Sequence, residues 1–320
     1  MRKTSSKFTK PPKPALPFEA PPRTDIPDQR QTLSFLKKLF SAYGLEAKTK
    51  LGQNFLIDLN LIDLIGRAGE LTPHDAVLEV GTGTGSLTAR LAKEAGRVVT
   101  IEIDGGLQPI AEQLVGSRPN VLYMKGDCLA KKSVLNPDMI DAWLAAAKQL
   151  NDPKLKLVAN LPYVIATPLI SNLLASELPI ERMVVMVQWE IAERLRAVVG
   201  TKDYNALSVI TQSVADVEVI RKVLPTNFHP MPKVDSAIVM IKPNAAKRKV
   251  VGDVTKFREF VRDLYIHRRK NLRVALAGSP RVKRVKSEVD AKLKEIGIDG
   301  NARAESLDIP AHLKLCEAFG

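Results

Sequence analysis

Asn160-Leu161-Pro162-Tyr163 follows directly on the apolar run 155–159, which reads as a strand. An Asn-apolar-Pro-aromatic tetrapeptide at the C-terminal end of a strand suits one demanding reaction, alkylation of an exocyclic amino group on a nucleobase. The lone pair of such an amine is delocalised into the ring, so the nitrogen is a poor nucleophile. The Asn160 side-chain oxygen and the Leu161 carbonyl can each accept a hydrogen bond from the NH₂. Together they would hold the nitrogen in place and favour sp³ character as it attacks. Pro162 stiffens the loop, and Tyr163 offers a ring on which the base can stack. The same four residues also suit an ordinary strand-to-loop turn, so the reading depends on what the other strand ends carry.

Glu79-Val80-Gly81-Thr82-Gly83-Thr84-Gly85 spans the end of the apolar run 77–80 and opens a helix through Leu87, Leu91 and Ala92. Glycines here permit a tight turn and close approach of a ligand to the backbone. The spacing is G-x-G-x-G, not the G-x-G-x-x-G of dinucleotide binding. The pattern E-x-G-x-G-x-G is common where S-adenosylmethionine lies over the loop, its amino-acid end near the glycines; a purely structural turn is the alternative. Glu102, in Thr100-Ile101-Glu102-Ile103-Asp104, ends the next strand, 97–103. It lies about 20 residues past the glycines, the offset at which an acid accepts both ribose hydroxyls. Asp127, after the strand 121–124, can accept a hydrogen bond from the cofactor's adenine amino group. Singly these are common residues. Four strand ends in sequence order carrying glycine turn, acid, acid and Asn-Leu-Pro-Tyr are specific, because ligands bind at the carboxyl ends of such strands.

The elements that must position these groups alternate. Strands at 77–80, 97–103, 121–124, 155–159 and 183–187 are separated by helical segments, as in a parallel sheet with crossover helices. The runs 217–224 and 236–241, joined by the loop 225–235, predict an antiparallel edge hairpin. The fold class is therefore α/β, a doubly wound Rossmann-like sheet of the class I methyltransferase kind, followed by a small all-α domain with helices at 257–266, 269–277, 288–296 and 310–319. Residues 247–249 read as a linker. The expected organisation is a basic, Pro-rich arm with a short helix over 1–45, a catalytic domain over 46–245 and a basic helical RNA-binding domain over 246–320. In the arm, Leu33, Leu36, Leu39, Phe40 and Tyr43 fall at helical spacing before Gly44, a helix stop.

Composition narrows the partner. Hydrophobic residues make up 45% and charged residues 26% of the 320, as in an ordinary globular protein, and the net charge is +13. Residues 1–50 carry 11 Lys/Arg against 4 Asp/Glu and residues 247–320 carry 18 against 10, whereas 51–246 carry 19 against 21. All the excess positive charge thus flanks a near-neutral centre, a pattern for gripping a polyanion. No apolar run approaches the ~18 residues of a membrane span, and no signal-peptide core is visible, so a cytoplasmic location and no membrane partner are expected. Cys128 and Cys316 match no metal or redox spacing, and no metal is expected.

The motifs taken together resemble those of the KsgA-type rRNA adenine N6,N6-dimethyltransferases over about residues 48–315. Lys50-Leu51-Gly52-Gln53-Asn54-Phe55-Leu56 resembles that family's G-Q-N-F-L segment, which implies cofactor contacts at Asn54 and Leu56. Asn160-Leu161-Pro162-Tyr163 with Ala166-Thr167-Pro168 resembles N-L-P-Y-x-I-[ST]-T-P, and Tyr204, Leu207 and Ser208 fit Y-x-x-L-S. Residues Phe228 to Ser236 are similar to F-x-P-x-P-K-V-D-S, and His267 to Arg273 to a basic R-R-K-x-L-R segment. Thr82 and Met231 stand where the family often has proline, and the resemblance says nothing about the long N-terminal arm. It implies two methyl transfers from S-adenosylmethionine to each of two adjacent adenines near the 3′ end of small-subunit rRNA, within a pre-30S-type particle, by a monomer. The alternatives are a large-subunit rRNA adenine methyltransferase and an RNA- or DNA-binding relative with vestigial catalysis. Leu161 and the F-x-P-x-P-K-V-D-S form disfavour the first, and the intact glycine, Glu102, Asp127 and Asn160 set disfavours the second.

Around this frame, Phe228 is expected to stack on the target base opposite Tyr163 rather than plug the core. His229 is read as a loop residue, because the amine can lose its proton after methyl transfer without a base. Glu190 and Glu193 are read as structural or surface residues. Lys233 is left between Asp235 and a phosphate. Arg268, Arg269, Lys270 and Arg273 are expected to meet RNA phosphates, with Arg281, Lys283, Arg284 and Lys286 extending the patch.

Overall fold

The computed structural model describes residues 31–267 and 269–320; the expectations for 1–30 and for Arg268 lie outside the described residues. Seven segments pair into one mixed sheet: β1 (Asp75–Val80), β2 (Arg97–Glu102), β3 (Val121–Lys125), β4 (Lys154–Asn160), β5 (Ile180–Gln188), β6 (Ala215–Val223) and β7 (Ser236–Pro243). Their spatial order is 3-2-1-4-5-7-6. β1 to β5 are parallel, and β7 runs antiparallel between β5 and β6. The hairpin expected from the sequence forms, with β7 on its inner side and β6 at the sheet's edge.

Helices α1 (Leu33–Tyr43), α2 (Leu59–Ala68), α3 (Ser86–Leu91), α4 (Gln108–Val115), α5 (Pro137–Ala147), α6 (Tyr163–Ala175), α7 (Trp189–Leu195) and α8 (Ala206–Gln212) accompany the sheet. Both faces are covered, so the inner strands read as nearly continuous apolar runs, and every residue of β1 is buried. The two-residue period divides them. Ala76, Leu78 and Val80 pack with Trp143 of α5 and Leu169 of α6; Val77, Val98 and Val158 pack with Ile65 of α2 and Leu91 of α3. Strand order reverses between β1 and β4, the place where a doubly wound sheet opens a crevice at its carboxyl edge.

Helices α9 (Ala245–Val251), α10 (Val254–Ile266), α11 (Leu272–Ala277), α12 (Lys286–Glu295) and α13 (Ile309–Phe319) complete the chain. Phe257, Phe260, Val261 and Leu264 form the buried stripe of α10, and their core takes in Tyr204, Val209 and Ile210 from the sheet region. Two expectations need correction. Residues 247–249 are helical: Asn244 caps α9 by accepting from the Lys247 amide at 3.1 Å, and Lys247 reaches Asp216 at 2.7 Å. A basic run hides the helix because its charges are used in specific contacts. The helix expected from 269 begins at Leu272, because Asn271 accepts from the Val274 amide as its N-cap. No described helix is long and apolar enough to cross a membrane.

Candidate active site

The glycine turn leaves β1 at Val80. Gly81, Gly83 and Gly85 adopt φ of 86°, 56° and 83°, a region that L side chains rarely enter. At Gly81 there is a second reason. A Cβ there would lie 3.0 Å from Cδ of Pro162, so glycine permits the close approach of the ends of β1 and β4. Beneath the turn, Glu79 is fully buried and accepts from the hydroxyls of Thr88 (2.6 Å) and Thr100 (2.7 Å). Burial pushes its carboxyl up to about 8 against the pull of those two hydroxyls, so it is neutral near pH 7.

At the end of β2, Glu102 accepts from the Gly83 amide at 3.0 Å and the Asp104 amide at 2.9 Å. Burial still raises its pKa above the ordinary value. Asp104 is different. Burial works against its charge, but hydrogen bonds from Lys48 (2.7 Å), Gln53 (2.9 Å) and the Gly106 amide (3.1 Å) hold its carboxyl below the usual range. It thereby fastens the segment that carries Asn54 to the end of β2. After β3, Asp127 accepts from the Leu129 amide at 2.9 Å and lines a lobe with Gly126, Cys128 and Glu102.

Asn160 closes β4. Its Nδ2 donates to the Asn54 carbonyl at 3.4 Å, which leaves Oδ1 as the free acceptor. The Leu161 amide donates to the Met186 carbonyl at 3.2 Å, and its side chain is buried. Tyr163 opens α6, and its hydroxyl shares a 2.7 Å hydrogen bond with Ser236, wholly buried on β7. Burial raises the phenol's pKa, so the ring is neutral.

These strand ends line one open crevice, bounded by the glycine turn, residues 51–56, Glu102 and the Asn160–Tyr163 loop. A second lobe continues past Glu102 to Asp127. Gly81, Glu102, Ile103 and Pro162 border both. Asn54, Leu56, Gly81, Gly83, Glu102, Asn160, Leu161 and Tyr163 all line the first lobe, Asp127 the second; Gly85 starts α3 just behind the turn.

Phe228 is placed otherwise. Its ring is 3% exposed and packs in the core with Leu56, Val223 and Ile238, because residues 228–229 pair antiparallel with 55–56 and turn the ring inward. It is a core plug in this conformation, not a wall opposite Tyr163. Arg269 and Lys270 are exposed in the turn before α11. Arg273 pairs with Asp290, and Arg281 pairs with Glu259 at 2.8 Å and Asp263 at 2.5 Å, so both brace the helical region. Lys222, not Lys233, holds Asp235, at 2.7 Å. Glu190 pairs with Arg194 along α7.

Sequence reasoning did not find Asp104, Lys48, Gln53, Ser236, Thr84 or Gln31. Asp104 stands two residues past Glu102 and Ser236 ends the Phe228–Ser236 segment, so both lay beside recognised motifs. Gln31 lay in the arm and carried no local signal, yet its Nε2 donates to the Thr84 carbonyl in the glycine turn at 3.0 Å.

Comparison with known proteins bears on the chemistry. A family model described as Ribosomal RNA adenine dimethylase matches residues 44–319. The chain is 39% identical over 292 residues to a Ribosomal RNA small subunit methyltransferase A of Pediococcus pentosaceus, covering 91% of this chain and 94% of that one. It is 39% identical over 299 residues to the protein of the same name from Listeria monocytogenes, covering 92% and 97%. Among solved structures it is similar to a dimethyladenosine transferase from Plasmodium falciparum, with a TM-score of 0.65, 25% identity and coverage of 82% and 95%. It is also similar to the 23S rRNA methyltransferase ErmE, with a TM-score of 0.55, 26% identity and coverage of 83% and 99%.

Proposed function

This chain belongs to the ribosomal RNA adenine dimethylase family, and from that premise we propose that it carries methyl groups from S-adenosylmethionine to N6 of two adjacent adenines near the 3′ end of small-subunit rRNA. The product is N6,N6-dimethyladenosine, made during assembly of the small ribosomal subunit. The observation that carries this reading is the apposition of two loops. The glycine turn and the Asn160–Tyr163 loop line one crevice and pack so closely at Gly81 and Pro162 that a Cβ on Gly81 would lie 3.0 Å from the proline ring, so a cofactor over the turn and a base at the loop would be neighbours in that crevice.

The residues present fit S-adenosylmethionine. The backbone of Gly81 and Gly83 with Asn54 and Leu56 would hold its amino-acid end, Glu102 its ribose hydroxyls and Asp127 its adenine amino group. Glu102 keeps a carboxylate edge in the crevice while two backbone amides fix its direction. Bound there, the cofactor supplies an electrophilic sulfonium methyl group.

The chain's own work is positioning. The Asn160 Oδ1 and the Leu161 carbonyl accept from the target NH₂, which localises the nitrogen lone pair and stabilises the positive charge that develops on N6 during attack. Tyr163, held by Ser236, stacks on the adenine after it has left the RNA stack. The proton shed by N6 passes to solvent, so neither His229 nor another side chain acts as base. Arg269 and Lys270 meet phosphates around the target. The enzyme acts as a cytoplasmic monomer on a pre-30S-type particle. Incubation of the full chain with methyl-labelled cofactor and unmethylated small subunits, followed by digestion to nucleosides, tests this; label in any product other than N6-methylated adenosines rejects it.

A further inference from the structure

Helix α1 precedes the residues that the family model spans, yet it is built onto the crevice. Gln31, 5% exposed, meets Thr84, 4% exposed, through both ends of its amide. Its Nε2 donates to the Thr84 carbonyl at 3.0 Å, and the Thr84 hydroxyl donates to its Oε1. Thr84 lies between Gly83 and Gly85, two residues with wide backbone freedom. Glu102 grips this turn from inside at the Gly83 amide, and Gln31 grips the next residue from outside. Behind the clasp, Leu36 and Phe40 of α1 pack on Phe55 and Leu107. The Phe40 and Phe55 rings meet edge to face at 5.1 Å. Phe55 and Leu107 themselves line the crevice, and the Phe55 ring lies 3.4 Å from where a Cβ on Gly83 would stand. At its far end α1 is tied to α4 by the Tyr43 hydroxyl, which donates to Gln113 at 2.5 Å.

We infer that α1 is part of the cofactor site and that Gln31 is a positioning residue, fixing Thr84 so that the glycine turn is preformed before the cofactor arrives. The inference rests on the reading of the crevice as an S-adenosylmethionine site. A turn with three glycines samples many conformations, and a ligand that needs one of them binds weaker by the fraction of time that conformation is absent. Two buried hydrogen bonds and an apolar wall remove that loss. The turn faces the cofactor's amino-acid end, which does not change during methyl transfer, so the clasp strengthens ground state and transition state alike. Its loss raises the cofactor KM and leaves kcat in place.

The test uses the full chain and two readouts: calorimetric titration with S-adenosylhomocysteine, and steady-state methylation of unmethylated small subunits. Gln31→Ala is expected to weaken S-adenosylhomocysteine binding and raise the KM for S-adenosylmethionine by about 10- to 30-fold, the usual scale for losing two buried neutral hydrogen bonds. The KM for small subunits and kcat stay as in wild type. Thr84→Val, which removes the hydroxyl half of the clasp, should give a smaller loss, and Thr84→Ser should restore it. This pair decides the matter if Gln31→Ala does not fold. Wild-type affinity in Gln31→Ala and Thr84→Val overturns the inference. So does a fall in kcat or in melting temperature with cofactor affinity unchanged, which marks a merely structural contact. Absence of binding by wild type is a separate result, which rejects the cofactor reading of the crevice itself.

Discussion

Ser236→Ala tests how the stacking ring is held. The Ser236 hydroxyl is wholly buried on β7 and lies 2.7 Å from the Tyr163 hydroxyl at the start of α6. A neutral hydrogen bond of this kind is worth ~1 kcal/mol net, and a buried partner left without one costs ~1–3 kcal/mol. Ser236→Ala removes the donor–acceptor pair but leaves the phenol half-buried, where water can satisfy it in part, so about 1 kcal/mol is expected. Tyr163→Phe strands the Ser236 hydroxyl in the sheet and should cost about 1–2 kcal/mol. The double variant strands nothing, so its loss should fall short of the sum by about 1 kcal/mol. Urea midpoints of the four proteins measure this on stability. Methylation of small subunits at saturating cofactor measures it on catalysis, where 1 kcal/mol is roughly fivefold, with cofactor affinity unchanged. If the two single losses add to within ~0.3 kcal/mol in both assays, the bond does not orient Tyr163 and the reasoning is refuted.

Other consequences can be checked in parallel. Gly81→Ala places a Cβ in a left-handed backbone and 3.0 Å from Pro162, so it should cost ~1 kcal/mol of stability and abolish detectable S-adenosylhomocysteine binding in a titration. Glu79 has a folded-state pKa near 8, above its unfolded value, so its contribution is fully present below about pH 4.5 and is lost as pH rises through 8. Between pH 5 and 8, chemical denaturation should therefore show Glu79→Gln losing less stability than wild type, by an amount on the order of a few kcal/mol. Replacing exposed Arg269 and Lys270 by Ala should weaken small-subunit RNA binding and lower the slope of log affinity against log salt by roughly one for each phosphate no longer neutralised, with cofactor affinity intact.

What the sequence made legible follows from period and punctuation. The strands that carry the site are continuous apolar runs, because both faces of the sheet are covered, and their ends are marked by Gly81, Glu102, Asp127 and Asn160. Those signals are local, and the structure gathers those residues along one edge. The features that were not legible depend on contacts between distant segments. Phe228 looked free because it sits among prolines in a loop, but its direction is set by pairing with Leu56. Gln31 has no periodic neighbour, and the packing of α1 on Phe55 and Leu107 carries it to Thr84. The basic runs misled for a related reason. Arg273 and Arg281 read as phosphate contacts and Lys247 as part of a linker, but each pairs with a carboxylate that is remote in sequence.

On this reading, an adenine amino group is methylated in the crevice lined by Gly81 and the Asn160–Tyr163 loop. Methyl transfer to unmethylated small subunits by wild type and by Asn160→Ala, read as labelled nucleosides after digestion, tests it most directly. Wild type is expected to yield N6,N6-dimethyladenosine and the variant a rate lower by about 10²–10³, the usual cost of removing one preorganised hydrogen-bonding group from a transition state, with S-adenosylhomocysteine affinity changed far less. Equal rates from the two proteins, or label on a base other than adenine, would contradict it.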